Sequence, residues 1–305
     1  MNISGPYSVF DPAAGKFIYW RSEFNQLHIF RYPGGKKWFS VHALLLLGTV
    51  LLERKNVAFP SAKLLIEPFA GGAVVGLTLL NSDLADRLLL VEKDARVAAF
   101  WKTALSDPHF ADRVERFRCT RKNVENVCAN PDRDPAFWTL VKNRCAVGGN
   151  LTGGLMKDVS CRWNGPRHAD GLRTIRNLSP RIEFIEGDGI GVLRKHADDP
   201  TAVAFVDPPY VIAGKGLYRQ GVIDHSALFD VLASWGGFWM MTYDDSQTIR
   251  KLVKKHGFTH RRIGMRTNKG KRKQEIFVRG GTPCSPNELP RWTQTRKQSS
   301  TPRSL

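Results

Sequence analysis

The chain is short of acid. Its 305 residues hold 28 Asp and Glu against 46 Lys and Arg, a formal charge of +18, which disfavours a cationic partner and points to an acidic one. Long apolar runs are missing as well. The longest, residues 43–52, spans ten and closes on Glu53 and Arg54, against the ~20 residues that a membrane-crossing helix needs. The first residues show no basic stretch followed by an apolar core, since Asp11, Lys16 and Arg21 break the pattern. The expectation is therefore a protein that is not exported and has no membrane partner. Cysteine is sparse, and Cys119, Cys128, Cys145, Cys161 and Cys284 are odd in number without paired C-x-x-C spacing. That suits reduced thiols in a cytoplasm better than a disulfide framework. The spacing of Cys145, Cys161 and His168 matches no zinc finger, so no metal is expected.

What is abundant is cation, and it is unevenly placed. Residues 1–112 carry +2, 113–181 carry +8, 182–260 carry −2 and 261–305 carry +10. Charge added for solubility alone spreads over a surface, whereas a phosphate-tracking surface concentrates Arg and Lys. Residues 282–305 are rich in Pro, Ser, Thr and Gln with few apolar residues, the composition of a flexible basic tail.

Short apolar runs alternate with helix-length amphipathic stretches, the pattern of a parallel sheet covered by helices. Strands are expected at residues 63–67, 87–92, 182–186, 202–206, 238–243, 259–266 and 275–279. Helices are expected at 74–81, 95–106, 189–196, 226–234 and 246–256, with 38–53 ahead of the first of these strands. Residues 107–180 mix Pro, Gly, Arg and Trp without sustained periodicity. They read as an inserted domain, part helix and part loop. The expected organisation is an N-terminal extension (1–25), a catalytic domain (26–106 and 181–281), the insert (107–180) and the tail (282–305).

Open parallel sheets bind ligands at the carboxyl ends of their strands, so four strand ends carry the chemistry. The first runs Glu67-Pro68-Phe69-Ala70-Gly71-Gly72-Ala73, a glycine-bearing turn that opens a helix and brings free backbone N–H groups to a ligand; a purely structural turn accounts for it equally well. The second ends Glu92-Lys93-Asp94, where an acid can accept from both hydroxyls of a ribose and where Asp94 serves equally well as a helix N-cap. The third ends at Asp188, which either meets an adenine amino group or caps the next helix.

The fourth, Asp207-Pro208-Pro209-Tyr210, is the most specific. Two prolines fix the backbone and remove its N–H donors, so the carbonyls of Asp207 and Pro208 are left to point outward. A carboxylate beside such a carbonyl accepts both N–H groups of an exocyclic amine, and Tyr210 offers a face for the attached ring. Upstream, Tyr32-Pro33-Gly34-Gly35-Lys36 adds a stacking face, a turn permitting close approach and a cation for a carboxylate; by itself, a plain Pro-Gly turn accounts for it as well.

In this order the motifs resemble the Dam-like, α-class DNA adenine-N6 methyltransferases: an aromatic-x-G-G-K segment, E-P-F-x-G-x-G, an acidic strand end, a target-recognition insert, then D-P-P-Y. The likeness runs through scattered motifs from about residue 28 to 279, with Ala73 in place of the third glycine and Glu92 where the family has Asp. Asn143-Arg144 begins like a family segment that then diverges. The resemblance implies a Rossmann-like S-adenosylmethionine-dependent methyltransferase sheet of the α/β class with a partly helical insert. It makes Tyr32, Lys36, Glu67, Phe69, Gly71, Glu92, Asp94, Asp188 and Asp207 cofactor contacts, and Asp207, Pro208, Pro209 and Tyr210 the catalytic motif.

The activity so implied is methyl transfer from S-adenosylmethionine to N6 of an adenine flipped out of double-stranded DNA, as in bacterial or phage restriction-modification, in the cytoplasm. The same geometry serves cytosine N4 or an RNA adenine, and a catalytically silent DNA-binding protein on this scaffold is the contrasting class. For the polymer, Lys269, Lys271, Arg272 and Lys273 between two expected strands are assigned to phosphates. Arg144, Asn150, Arg162, Trp163, Asn164 and Arg167 of the insert are assigned to base edges or to wedging into the stack.

Overall fold

The computed structural model describes residues 7–11, 16–20, 27–31, 36, 39, 40, 43, 46, 47, 61–210, 223–266 and 272–281, with backbone alone at 7–11, 16–20, 264–266 and 272–273. Four strands are buried along almost their whole length: β3 (Leu64–Glu67), β4 (Leu88–Glu92), β6 (Ala202–Val206) and β7 (Phe238–Asp244). Near-continuous apolar runs of this kind belong to central parallel strands covered on both faces. They pair in the order β4, β3, β6, β7, all parallel, with β5 (Ile182–Glu186) outside β4. Beyond β7 lies β9 (Arg272–Gly280), antiparallel, and then β8 (Thr259–Arg266) at the far edge. This is the Rossmann-like α/β sheet anticipated from the sequence, except that its β9–β8 edge is antiparallel where a parallel sheet was expected. A separate hairpin joins β1 (Tyr7–Asp11) to β2 (Lys16–Trp20).

Side chains alternate between the two faces with the period of two that a strand imposes. Leu65, Leu88, Leu90, Phe205 and Met240 enter one core, Ile66, Leu89, Val91, Val206 and Met241 the other. The second face is covered by α7 (Gly189–Lys195), α8 (His225–Ala233) and α9 (Gln247–Lys255). The first is covered by α1 (Val74–Asn81), α2 (Ala95–Ser106) and the helical residues Phe39, Ala43, Leu46 and Leu47. Gly189, which opens α7, is dictated by packing: a Cβ there would stand 1.9 Å from the Pro68 carbonyl oxygen.

The 107–180 interval forms four helices, α3 (Phe110–Arg116), α4 (Arg121–Ala129), α5 (Pro135–Cys145) and α6 (Gly165–Leu178). At 7, 9, 11 and 14 residues they are too short for an apolar period to repeat visibly. Phe110, Val114, Leu140, Leu172 and Ile175 join the same apolar core as α2, while Val124, Val141, Cys145 and Val159 form a small core of their own. Cys119 and Cys145 approach to 3.7 Å between sulfurs as thiols.

Most of the expected helix at 38–53 lies outside the described residues, as do Tyr32, Lys269, Lys271 and the 282–305 tail. The cationic connection between β8 and β9 is shorter than expected, because β9 begins at Arg272, paired with Arg266 at the expected end of β8. Arg272 and Lys273 thus stand on β9 rather than in a turn. Among the described residues, no helix is long and apolar enough to cross a membrane, and no group of three or more His, Cys, Asp or Glu is placed to hold a metal ion.

Candidate functional site

A cavity of about 420 Å³ opens where β3, β4, β5 and β6 end, and Glu67, Glu92, Asp188 and Asp207 stand in its wall. Of the other cofactor-side residues expected from the sequence, Lys36, Phe69, Gly71 and Asp94 also line it, and Tyr32 lies outside the described residues.

The turn after β3 is fixed by its neighbours. Gly71, at φ 46°, donates its N–H to Glu92 Oε2 at 2.9 Å, and its carbonyl accepts from Trp101 Nε1 at 2.9 Å. The N–H groups of Lys93 and Asp94 both donate to Glu92 Oε1 at 2.8 Å. Glu92 therefore holds together the two loops that border the cavity. Burial pushes its carboxyl up, against the pull of those three donors. Asp94 accepts from Arg96 N–H and Asp188 from Gly191 N–H, so both cap helices while also bordering the cavity. Ala73, where the family motif has its third glycine, takes a left-handed conformation at φ 45°, which an L side chain occupies at a cost of about 1–2 kcal/mol.

Glu67 is the least solvated acid of the wall. Its Oε1 accepts from Gly76 N–H at 2.7 Å, its Oε2 is buried with no hydrogen-bond partner, and burial raises its pKa to about 8, with Asp207 adding to the shift. Near neutral pH it is largely a neutral carboxylic acid.

At the end of β6, Asp207 Oδ1 receives Lys36 Nζ at 2.7 Å and the Thr242 hydroxyl at 2.9 Å. Lys36, 3% exposed, also donates to the Tyr210 hydroxyl at 2.8 Å and lies 3.7 Å from Glu275 Oε2. Tyr210 in turn donates to Glu275 Oε1. The cation expected to meet a ligand carboxylate is thus shared between two acids of the protein. Asp207 remains 25% exposed, and no bond to its Oδ2 is made among the described residues.

Tyr210 corrects the sequence reading. It is 5% exposed, packs in the second core and spends its hydroxyl on Lys36 and Glu275, so in this arrangement it is no open platform for a base. Pro208 is likewise buried, while Pro209 lines the cavity and its carbonyl accepts from Tyr243 at 3.4 Å. Thr242, Tyr243 and Glu275 were not legible as site residues; only the adjacency of β6, β7 and β9 brings them to Asp207 and Lys36.

The insert candidates divide. Arg144 is 6% exposed and donates to the His28 carbonyl at 2.6 Å, which removes it from the set able to read a base edge. Asn150 accepts from the Thr152 N–H and hydroxyl, and Asn164 caps α6 by accepting from Arg167 N–H. Trp163 is half-buried, edge-on to Phe117 and His168 at 5.2 Å each, hence packed rather than poised as a wedge. Arg162 is half-buried and Arg167 exposed. Asn143, 1% exposed, was noticed only as part of a family-like segment. Its side chain accepts from Arg31 N–H at 2.8 Å and donates to the carbonyls of Arg31 and Gly149 at 3.0 and 2.9 Å, tying the insert to the segment that leads to Lys36.

No family model and no curated protein matches the chain. Among solved structures, it is similar to a Pyrococcus horikoshii protein provisionally assigned as an RNA methyltransferase, at 11% identity and a TM-score of 0.39 over 82% of this chain and 84% of that one. It is also similar to an rRNA methyltransferase of Streptomyces viridochromogenes, at 14% and 0.38 over 83% and 89%. A third is the precorrin-6y C5,15-methyltransferase of Geobacter metallireducens, at 10% and 0.34 over 77% and 85%. Values this low do not bear on substrate, and the chemistry rests on the residues of the cavity.

Proposed function

We propose that the protein transfers a methyl group from S-adenosylmethionine to N6 of adenine in DNA. The observation that carries the reading is the partly exposed Asp207 carboxylate at the end of β6, in the wall of the same cavity as Glu92 at the end of β4. The cavity, at about 420 Å³, falls in the range of about 300–1,000 Å³ typical of small-molecule sites. Its wall also holds the buried Glu67 oxygen that has no protein partner. These features suit a nucleoside-bearing ligand with several hydrogen-bonding groups. When bound, S-adenosylmethionine supplies an electrophilic sulfonium methyl.

The chain's own residues then divide the work. The one lone pair of Glu92 left by its three backbone donors accepts from a ribose hydroxyl, and the Gly71 turn lets the backbone approach closely. Phe69 supplies an apolar face, and Asp94 and Asp188 border the cavity on its other side.

Asp207 Oδ1 is held by Lys36 and Thr242, which leaves Oδ2 for one N–H of the target amine. The Pro208 carbonyl takes the other N–H in this reading. With both hydrogens engaged, the amine lone pair turns out of conjugation toward the methyl, a contribution of orientation and electrostatics; the N–CH3 bond would form as the S–CH3 bond breaks, and the amine would then lose one proton to Asp207 Oδ2 or to solvent. The target base must leave the helix to reach this depth. In this reading the buried Tyr210 supports Lys36 and does not receive the base.

Expression in a host whose DNA carries no methylated bases, followed by nucleoside mass spectrometry, tests the assignment. N6-methyladenine supports it. N4-methylcytosine, methylated RNA alone, or no methylated base each contradicts it.

A further inference from the structure

One seam of the molecule holds basic groups without acidic partners. Residues 27–31 run between the cavity and the insert: His28 and Phe30 line the cavity, and Arg31 faces the junction of α5 with the start of α6. Asn143 of α5 clamps the Arg31 backbone through two hydrogen bonds. Gly149, at φ 77°, packs so close that a Cβ would lie 2.1 Å from the Arg31 carbonyl oxygen. Into this junction the chain places Arg31, Arg144, Arg162 and His168.

Buried nitrogens there lack hydrogen-bond partners: Arg31 Nη1, Arg144 Nε, Arg162 Nη1 and His168 Nδ1. Two of these side chains are more than nine-tenths buried, Arg144 at 6% exposure and His168 at 5%. Buried donors are ordinarily satisfied, and each exception calls for a cause. Among the described residues no carboxylate forms an ion pair with Arg31, Arg144, Arg162 or Arg167. The nearby acids are engaged elsewhere: Asp112, Glu115 and Asp170 with Arg173, and Asp158 with Ser160.

The groups repel one another accordingly. Burial and then Arg162 lower the Arg31 guanidinium. Burial, Arg31 and Arg167 bring Arg144 down to about 10, and burial with Arg144, Arg167 and His28 brings His168 down to about 3. A folded chain retains such a cluster at a cost in stability that a bound anion offsets.

We infer that this seam seats a phosphodiester group of the DNA substrate, held by the guanidinium groups of Arg31 and Arg162 with Arg167 at its rim. Arg144 supplies buried positive charge beneath them. A planar guanidinium presents paired N–H donors to phosphate oxygens, and the orphaned nitrogens of Arg31, Arg144 and Arg162 belong to groups of this kind. The position beside the cavity wall formed by His28 and Phe30 places the phosphate next to the nucleotide whose base enters. The insert arginines therefore fix the register of the strand, and Arg162 and Arg167 move from base reading to backbone positioning.

This inference rests on nucleic acid being the substrate, so its test leaves methyl transfer out. Binding of a fluorescein-labelled DNA duplex to the full chain is measured by anisotropy between 50 and 300 mM salt, without S-adenosylmethionine. Arg31→Gln and Arg162→Gln should each weaken binding about tenfold at low salt and flatten the log–log salt dependence by about 0.9 per contact. Arg162→Lys should recover most of the slope, and Lys254→Gln on α9 should match the wild type. Equal affinity and slope for both Gln variants and the wild type overturns the inference.

Because a variant can fail to fold, a second readout uses the wild-type chain: arginine modification by phenylglyoxal, followed by peptide mass spectrometry. Slowing at Arg31 and Arg162 by the duplex is expected; equal rates with and without duplex overturn the inference. A chain that binds DNA in this way but transfers no methyl group sinks the proposed reaction and keeps the seam. A chain that methylates DNA with both Gln variants unaffected does the reverse.

Discussion

Lys36 Nζ lies 2.7 Å from Asp207 Oδ1, with the lysine 3% and the aspartate 25% exposed. The lysine is almost dry, the aspartate opens on the cavity that both residues line, and the pairing fixes the orientation of the carboxylate. Glu275 and Tyr210 also meet the lysine, from β9 and from the end of the Asp-Pro-Pro-Tyr motif.

Tyr210→Phe separates two roles for that ring. A platform for a base would tolerate Phe, which keeps the aromatic face. A hydroxyl that bridges Lys36 and Glu275 would not, and its removal should cost about 1.5–3 kcal/mol, the range for hydrogen bonds to charged groups. Thermal melting should show a clear loss of stability, with activity falling in parallel. An unchanged melting temperature would return Tyr210 to the ligand.

Glu92→Gln should disturb the cofactor side. The amide nitrogen cannot accept, so at least one of the N–H donors from Gly71, Lys93 or Asp94 loses its partner. S-adenosylmethionine affinity, measured by calorimetry, should fall at least tenfold, about 1.4 kcal/mol. An unaltered dissociation constant would transfer the ribose contact to Asp94.

Ala73→Gly should stabilise the fold. Relief of about 1–2 kcal/mol of left-handed strain outweighs the roughly 0.5–1 kcal/mol that glycine loses in chain entropy. A rise of a few degrees in melting temperature is expected. Gly71→Ala, at φ 46° with its N–H on Glu92, should lower it. A fall with Ala73→Gly would mean that the Cβ contributes packing that exceeds the strain.

Glu67 makes stability depend on pH in a known direction. Its folded pKa of about 8 exceeds the usual carboxylate value, so the folded state holds the proton more tightly than the unfolded chain. Stability from this group is then greatest at low pH and declines as pH rises from about 4.5 through about 8, by a few kcal/mol in all. Glu67→Gln still accepts from Gly76 N–H and should flatten the profile of urea unfolding between pH 5 and 8. Parallel profiles for the two proteins would show that Glu67 is ionised throughout.

The strands were readable because the central ones are apolar on both faces, and Ala202–Val206 and Ile182–Glu186 fell where the sequence placed them. Readable, too, was which strand ends meet, since parallel strands deliver their carboxyl ends to one edge. Side-chain direction was not. Tyr210 carries both a ring and a hydroxyl, and which one is used depends on Glu275, 65 residues further along the chain and on a strand that reaches β6 only through β7. Arg144 read as an exposed cation because its helix is amphipathic over too few turns to show that it faces inward.

The central claim is that Asp207 holds the amine that is methylated. The most direct measurement incubates the protein with S-adenosylmethionine bearing a deuterated methyl group and unmethylated duplex DNA, and then digests the DNA for nucleoside mass spectrometry. The wild type should give trideuterated N6-methyladenine. Asp207→Asn, which still offers Lys36 and Thr242 an acceptor, should fold normally, bind DNA with wild-type affinity and lose at least a hundredfold in transfer rate, about 2.7 kcal/mol of transition-state stabilisation. A folded Asp207→Asn protein that transfers the label at the wild-type rate would contradict the account.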